Sequence, residues 1–305
     1  RNKLIIKNII YATVIYPTKD FEIFLNDYLL SVFTQTTKNF ELLIILDEVE
    51  LAVVEKRVNK LNKDKIKVHI RKFLDKLNPI ELRKKLVDIS YELNADVLIF
   101  SDFDENVASN RVEEVIKNID NFAFAFNDFY VVDKNLKKIN KYSFFETRNV
   151  AKEVKEWKDI KSFNYIGFGS LSINLKLFNY KDIDFPKEIK ALDWFIATYV
   201  LLNKGKGIKL SNTYANYRQH GSSFVGFDFK LDKAKLKQGL DTKLTHYKYF
   251  QKYNIDFKFF YNEIVDLQEY INHIGEENYI EIVNKKFDTT NLCWWENIKT
   301  KKELV

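Results

Sequence analysis

Four short runs that read as strands, the first three each followed by a stretch of helical spacing, constrain the first hundred residues of this chain more than any other feature. Tyr11 to Tyr16 is stopped by Pro17, after which Phe21 to Phe33 repeats apolar residues at helical intervals. Leu42 to Leu46 is an unbroken run of branched aliphatics ended by Asp47 and Glu48. It is too short for a helix and apolar on both faces, so it reads as a buried parallel strand. Leu51 to Leu61 reads as a helix, Lys67 to Ile70 as a third strand, Pro79 to Leu93 as a helix and Asp96 to Phe100 as a fourth strand. This alternation predicts right-handed crossovers and an α/β fold with a mostly parallel, doubly wound sheet flanked by helices.

Farther along, Phe122 to Val132 alternates as a strand does, Asp133 to Asn140 reads as a polar turn, and Asp193 to Leu202 is helical. After about Gly226 the pattern changes to long Lys- and aromatic-rich helical stretches with no strand signal. The expected division is therefore 1–226 and a helical carboxy-terminal region, 227–305. With 8 Gly and 3 Pro in 305 residues there is no flexible tether between them.

A chain with 46% hydrophobic and 15% aromatic residues can bury a sizeable core and lies outside the composition of disordered proteins. The single cysteine, Cys293, excludes an intramolecular disulfide framework and a Cys-rich zinc site, which leaves a cytoplasmic location as the expectation. No apolar run approaches the roughly 20 residues that span a bilayer, and Arg1 to Lys7 lacks signal-peptide architecture. The net charge of +6 is small for a nucleic-acid binder. The Lys clusters at Lys134 to Lys141, Lys230 to Lys237 and Lys299 to Lys302, the second interrupted by Asp232 and the others flanked by Asp133 and Glu303, read as solvated helix faces.

In an open α/β sheet, ligands bind beyond the carboxyl ends of the strands, where loops diverge and helix amino-termini point into the crevice. Three runs deliver polar groups there: Tyr16 into Pro17-Thr18, Leu46 into Asp47-Glu48, and Phe100 into Ser101-Asp102-Phe103-Asp104-Glu105. Asp102 and Asp104 can share a hard divalent cation such as Mg²⁺ or Mn²⁺, which would neutralise a departing diphosphate. The bare pattern is unspecific, because Asp182-Ile183-Asp184 repeats it; position after a buried strand is what distinguishes the first pair. The plain alternatives are a solvated turn capping the next helix for Asp102-Asp104 and a helix cap for Asp193. For His220 the alternative is a hydrogen-bonded structural histidine. His69, His246 and His273 have no ligand-like partner at useful spacing. Trp294-Trp295 suits either packing into the domain or an exposed aromatic platform for an acceptor or a membrane.

Read together, Tyr11-Ala-Thr-Val-Ile-Tyr-Pro-Thr18, Ser31-Val-Phe-Thr-Gln35, Phe40-Glu-Leu-Leu-Ile-Ile-Leu-Asp47 and Ala95-Asp-Val-Leu-Ile-Phe-Ser-Asp-Phe-Asp104 resemble the nucleotide-sugar half of the family-2 glycosyltransferases of the GT-A fold. Ile166-Gly-Phe-Gly-Ser-Leu171, Ala191-Leu-Asp-Trp-Phe195 and Tyr217-Arg-Gln-His-Gly-Ser-Ser-Phe-Val-Gly226 look like the acceptor half. The resemblance runs in order through the first 226 residues and implies a nucleotide-binding half, 1–105, and an acceptor half, 106–226. It implies that Pro17, Thr18 and Asp47 line the nucleobase pocket, Asp47 accepting a uracil N–H. Asp102 would lie near ribose and metal, Asp104 would bind Mn²⁺ or Mg²⁺, and His220 would approach the metal or the diphosphate. Arg218 and Gln219 would close over the phosphates, Arg83 would stand in for an arginine of the third helix, and Asp193 would be the base that deprotonates the acceptor hydroxyl.

The sequence departs from the family where Leu46 replaces the first residue of Asp-Asp-Gly-Ser, Glu48-Val49 replaces Gly-Ser, Lys19-Asp20 replaces Tyr-Asn, and Leu192 replaces one of an acidic pair. The implied activity is an inverting, metal-dependent transfer from a UDP-sugar to a saccharide or lipid-linked saccharide, in surface polysaccharide synthesis, with a possible peripheral contact at the inner face of a membrane. One base suffices for such a displacement, whereas a glycosidase needs two carboxyl groups across the ring. The competing readings are a nucleotidyltransferase-type enzyme that uses the same sheet and acidic pair, and a basic module that binds nucleic acid or anionic lipid.

Overall fold

The computed structural model describes residues 6–219, 229–286 and 292–304. In chain order the strands and helices of the first part are β1 (Ile9–Ile15), α1 (Phe21–Phe33), β2 (Glu41–Leu46), α2 (Leu51–Leu61), β3 (Val68–Lys72), α3 (Pro79–Glu92) and β4 (Val97–Phe100). The predicted boundaries fall within two residues of these. The cause is chemical: the branched aliphatics of β2 and β4 are buried on both faces, and α3 starts where Asn78 accepts the amides of Ile80 and Glu81 while Glu81 accepts that of Asn78, with Pro79 at the first helical position.

There follow β5 (Asn106–Val107), α4 (Arg111–Asn118), β6 (Phe124–Val132), β7 (Glu153–Val154), β8 (Leu171–Asn174), α5 (Leu192–Leu202) and β9 (Gly207–Arg218). One sheet runs in the order β3-β2-β1-β4-β8-β6-β9-β5, with β7 also paired to β9. Its first four strands are parallel, as expected from the alternation. Beyond β4 the sheet becomes mixed: β8 runs antiparallel to both β4 and β6, and β6 runs parallel to β9 across an irregularity at Asn127 and Asp128. The fold is α/β and GT-A-like, with β1, β2 and β4 ending along one edge.

The helical region comprises α6 (Lys233–Phe250), α7 (Asp256–Ile274), α8 (Glu276–Lys286) and α9 (Lys301–Leu304), and no strand follows β9 among the described residues. It shares one continuous core with the sheet. Trp194 of α5 lies flat on His246 of α6 at 3.6 Å, Phe195 meets Phe250 at 5.2 Å, and Trp157 meets Phe257 at 4.5 Å. Burial drives the His246 imidazole well below its ordinary pKa, so it stacks as a neutral ring. Among the described residues no helix is long and apolar enough to cross a membrane.

The segment from Leu292 to Ile298 returns across α6. A Cβ at Gly239 would lie 2.1 Å from Ile298 Cδ1 and 2.8 Å from Trp295 Cβ, so α6 has no room for a side chain there. Replacing Gly239 by valine puts branched carbon into that contact. We expect a loss of about 1–3 kcal/mol, the usual cost of overpacking, read as a fall of several degrees in the thermal midpoint; an unchanged midpoint would show that the contact is not maintained in solution.

Candidate functional site

The end of β4 fixes the site. Ser101 donates its amide to Ala12 O and Glu105 donates to Asp102 O, so the chain turns immediately after the strand. Phe103 is fully buried in that turn, its ring edge-on to Tyr16 at 4.6 Å and 6.0 Å from Phe21. With the phenylalanine locked inward, Asp102, Asp104 and Glu105 all line one cleft. Burial and the neighbouring Asp104 carboxylate raise the Tyr16 phenol above its ordinary pKa, and Arg83 reaches Asp102 at 3.3 Å while its guanidinium lies 4.4 Å over the Phe168 ring. The same residues form the wall of a space of about 1020 Å³, including the solvent at its mouth.

Glu105, the last residue of the acidic run, joins Asp102 and Asp104 in the cleft without a role implied by the resemblance. It is buried, and burial together with the fields of Asp102 and Asp104 drives its carboxyl well above the ordinary range. Asp102 is raised by burial, with the Arg83 guanidinium opposing and Asp104 reinforcing the rise. Gly169 makes this crowding possible: a Cβ there would sit 2.3 Å from Glu105 Oε2 and 3.2 Å from Asp102 Oδ2. Converging buried carboxylates are costly without a cation, and a hard oxygen-seeking ion fits this donor set. Among the described residues no group of three or more His, Cys, Asp or Glu side chains is placed to hold a metal ion by itself. Asp102 and Asp104 would therefore hold a Mg²⁺- or Mn²⁺-type ion that keeps waters and phosphate oxygens as its other ligands.

Asp193 stands in the first turn of α5 and faces the same cleft. It is not the helix cap that the sequence alone allowed; Ala191 occupies the cap position, and no side chain caps the helix. Asp193 Oδ1 instead accepts the Trp194 amide at 2.6 Å and Asn164 Nδ2 at 3.0 Å. Asn164 is itself fully buried and tied to both the amide and the carbonyl of Ile166. Burial pushes the Asp193 carboxyl up to about 7, against the lowering effects of the Trp194 amide and Arg83. Nothing in the sequence pattern pointed to Asn164, whose role appears only when the loop folds back.

Arg218 ends β9 and is buried against the same cleft, its guanidinium 4.4 Å over the Phe24 ring and its Nη2 2.7 Å from Asp27 Oδ2. Among the described residues its Nε and Nη1 have no hydrogen-bond acceptor. Arg83, Asp102, Asp104, Asp193 and Arg218 thus come together on one cavity. Gln219, the next residue, is half-buried and outside the lining of this cavity, with its backbone amide donated to Val132 O. Pro17, Thr18 and Asp47 lie outside the lining of this cavity, at the neighbouring ends of β1 and β2, where the Asp47 amide is donated to Ile15 O. The backbone at Glu48 takes the left-handed conformation, φ 55°, at the position where the resembled motif has glycine. His220 lies outside the described residues. Asp182 of the second Asp-x-Asp match accepts from Asn179 and takes no part in the cleft.

Trp294 and Trp295 are buried and form part of the cleft wall, so packing and lining coincide. The Glu296 carboxylate accepts both of their amides and is held by Arg148.

No family model matches the chain, and no curated protein matches it. Solved structures do resemble it. S. aureus TarS superposes with a TM-score of 0.54 at 16% identity, over 85% of this chain and 42% of TarS. TarS 1–349 in complex with UDP-GlcNAc gives 0.52 at 18% identity, over 80% of this chain and 73% of that one. The mannosyltransferase PcManGT from Pyrobaculum calidifontis, in complex with GDP-Man and Mn²⁺, gives 0.52 at 9% identity, over 80% and 64%. The chain therefore spans less than half of the longer TarS. At these identities the likeness establishes the fold.

The raised Asp193 carboxyl has a sign that can be measured. A folded-state pKa near 7, above the ordinary carboxylate value, means that protonation favours the folded form; that contribution is complete below about pH 4 and is lost as pH rises to about 7. Asp193→Asn keeps an oxygen for both donors. Its thermal midpoint should exceed that of the parent by a margin that grows from pH 5 to pH 7 and then levels off. A margin independent of pH would place the Asp193 carboxyl in the ordinary range.

Proposed function

We propose that the chain is an inverting glycosyltransferase that moves a sugar from a nucleoside diphosphate, UDP being the favoured nucleotide, to an acceptor hydroxyl with the help of Mg²⁺ or Mn²⁺. The observation that carries the reading is the opening of the Asp102-Asp104 pair and of Asp193 onto one cleft, flanked by Arg83 and Arg218. The fold shared with structures that hold UDP-GlcNAc, and GDP-Man with Mn²⁺, supports it.

The donor diphosphate would lie along the edge where β1, β2 and β4 end, its base toward Pro17, Thr18 and Asp47. A cation held by Asp102 and Asp104, when bound, supplies charge neutralisation for the leaving diphosphate. Arg218 offers buried N–H donors to the phosphate oxygens from a position already fixed by Asp27 and Phe24. Asp193 takes the proton of the acceptor hydroxyl as its oxygen attacks the anomeric carbon. The bond from that carbon to the diphosphate oxygen breaks, and its electron pair leaves with the diphosphate. A single displacement inverts the anomeric configuration.

A carboxyl with a pKa near 7 is well matched to base catalysis at neutral pH, being both substantially ionised and basic enough to accept the proton. The buried Asn164 keeps Asp193 oriented. The proposed division keeps 1–105 as the nucleotide-binding half and 106–226 as the acceptor half, and 227–305 adds Trp294 and Trp295 to the wall of the cleft.

Thermal-shift measurements with UDP-, GDP-, CDP- and dTDP-sugars, with and without Mn²⁺, should show stabilisation by one nucleotide only when metal is present. Asp104→Asn should abolish that metal dependence. Asp193→Asn should still bind donor and metal but lose at least about a thousandfold in transfer, the upper range of a general base's contribution. The parent's rate should rise with pH through about 7. Undiminished turnover by Asp193→Asn, or release of pyrophosphate rather than nucleoside diphosphate, would sink the reading.

A further inference from the structure

One loop indexes the cleft along its length. At Gly169 an added Cβ would press on Glu105 and Asp102, and at Gly167 it would lie 3.5 Å from the end of the Trp294 ring. Between them Phe168 lines the same cleft as Asp193, whose neighbour Trp194 lies 6.3 Å from the Trp295 ring. Asp193 therefore stands between an acidic end and an aromatic end. In an in-line displacement the acceptor enters from the side opposite the departing diphosphate, so the aromatic end is where the acceptor belongs.

That end is built rather than incidentally packed. Trp294 and Trp295 stack at 5.8 Å and 21°, and Trp294 is 5.6 Å from Phe129. Their backbone is pinned to Glu296, which Arg148 holds from the opposite side, and Arg148 also donates to Leu292 O. Gly239 supplies the room for Trp295 on α6. Trp295 is 4% exposed and its indole Nε1–H has no acceptor among the described residues, an orphan donor beside the cleft.

We propose that the Leu292–Ile298 segment forms the acceptor subsite and that its ligand is a saccharide: a pyranose whose apolar C–H face lies on the tryptophan wall and one of whose hydroxyls accepts from Trp295 Nε1. This rests on the transferase reading, since it uses Asp193 as the point from which the acceptor side is defined. A pyranose fits the chemistry because it presents an apolar face and a rim of hydroxyls together, which an aromatic wall with an indole donor complements. A simple alkyl alcohol would leave the orphan N–H unmet, and a glycerol-type acceptor has no ring face to stack.

The test is saturation-transfer NMR on the full chain with UDP and Mn²⁺, probing the methyl glycosides of glucose, galactose, mannose, N-acetylglucosamine and N-acetylgalactosamine against glycerol and 1-butanol. At least one glycoside should receive saturation on its ring C–H protons, and glycerol and butanol should not. Trp294→Ala should weaken that glycoside about tenfold, the scale of a lost aromatic contact. Trp295→Phe, which keeps a ring and removes the donor, should weaken it about fivefold, the scale of one hydrogen bond. In both variants the loss for the glycoside should exceed any loss for UDP. Trp294→Phe keeps the packing should Trp294→Ala fail to fold, and it should fall between the parent and the alanine variant. Absence of any glycoside signal, equal signals from glycerol, or glycoside affinity unchanged in Trp295→Phe and Trp294→Phe overturns the subsite. Nucleotide binding is followed in the same samples: UDP bound without any glycoside defeats the subsite alone, and glycoside bound without any nucleotide defeats the transferase reading while the saccharide site stands.

Discussion

The crowding of carboxylates at the end of β4 is the constraint around which the rest of the site is arranged. Asp102, Asp104 and Glu105 lie within five residues of the strand's last position, two of them buried, and each lines the same cleft. Such a cluster resists folding by desolvation and by mutual repulsion, so the surroundings must hold it mechanically. Phe103 is anchored between Tyr16 and Phe21 and prevents the turn from rotating outward. Arg111, itself fully buried, donates to Phe100 O and secures the last residue of the strand. Gly169 leaves the volume into which Glu105 projects. Each of these residues is understandable as support for a charge arrangement that a cation and a diphosphate would complete.

The helical region contributes to the same site through α5. Asp193 sits one residue before Trp194, and Trp194 is clamped by the neutral His246 ring on one side while its indole N–H is donated to Ile160 O. Movement of α6 would therefore move the amide that Asp193 accepts. The carboxy-terminal segment crosses α6 at Gly239 and places its tryptophan pair beside the same aspartate. A region that reads in the sequence as a helical appendage is, in the folded chain, one wall of the cleft.

The parallel half of the fold was legible because β1, β2 and β4 are almost wholly buried and β1, β2 and β3 are each followed by a helix, giving unbroken aliphatic runs such as Leu42 to Leu46. The strands beyond β4 were less so, for physical reasons. β8 is only Leu171–Asn174, and half of its residues are polar, Ser172 and Asn174, buried by their partners rather than by their own hydrophobicity. β9 runs for twelve residues with exposed and buried positions irregularly mixed, because it pairs with β6, β7 and β5 along different parts of its length. In the site, local order announced Asp102, Asp104 and Asp193, each next to an element boundary. Asn164, Gly169 and the Arg148–Glu296 clamp are joined to them only by long-range folding, and no spacing in the chain encodes that. Arg83 illustrates the difference: it lies 19 residues before Asp102 in the chain, and the reach of its side chain across Phe168 brings the two together.

The distribution of unmet hydrogen-bonding groups gives the cleft its polarity. A buried N–H without an acceptor costs about 1–3 kcal/mol, so a protein retains one where a ligand completes it or where packing leaves no alternative. Near this cavity the described residues include two such sets, the guanidinium N–H groups of Arg218 and the indole N–H of Trp295, both on residues that line it. Arg218 is already neutralised in part by Asp27, leaving donors suited to an anion without an isolated charge. Trp295 is neutral, and a hydroxyl is enough to satisfy it. On the proposed reading the charged donor set faces the phosphates, the neutral one faces the acceptor and the carboxyl of pKa about 7 stands between them, the order of functional groups that proton removal and diphosphate departure on opposite sides of one sugar carbon require.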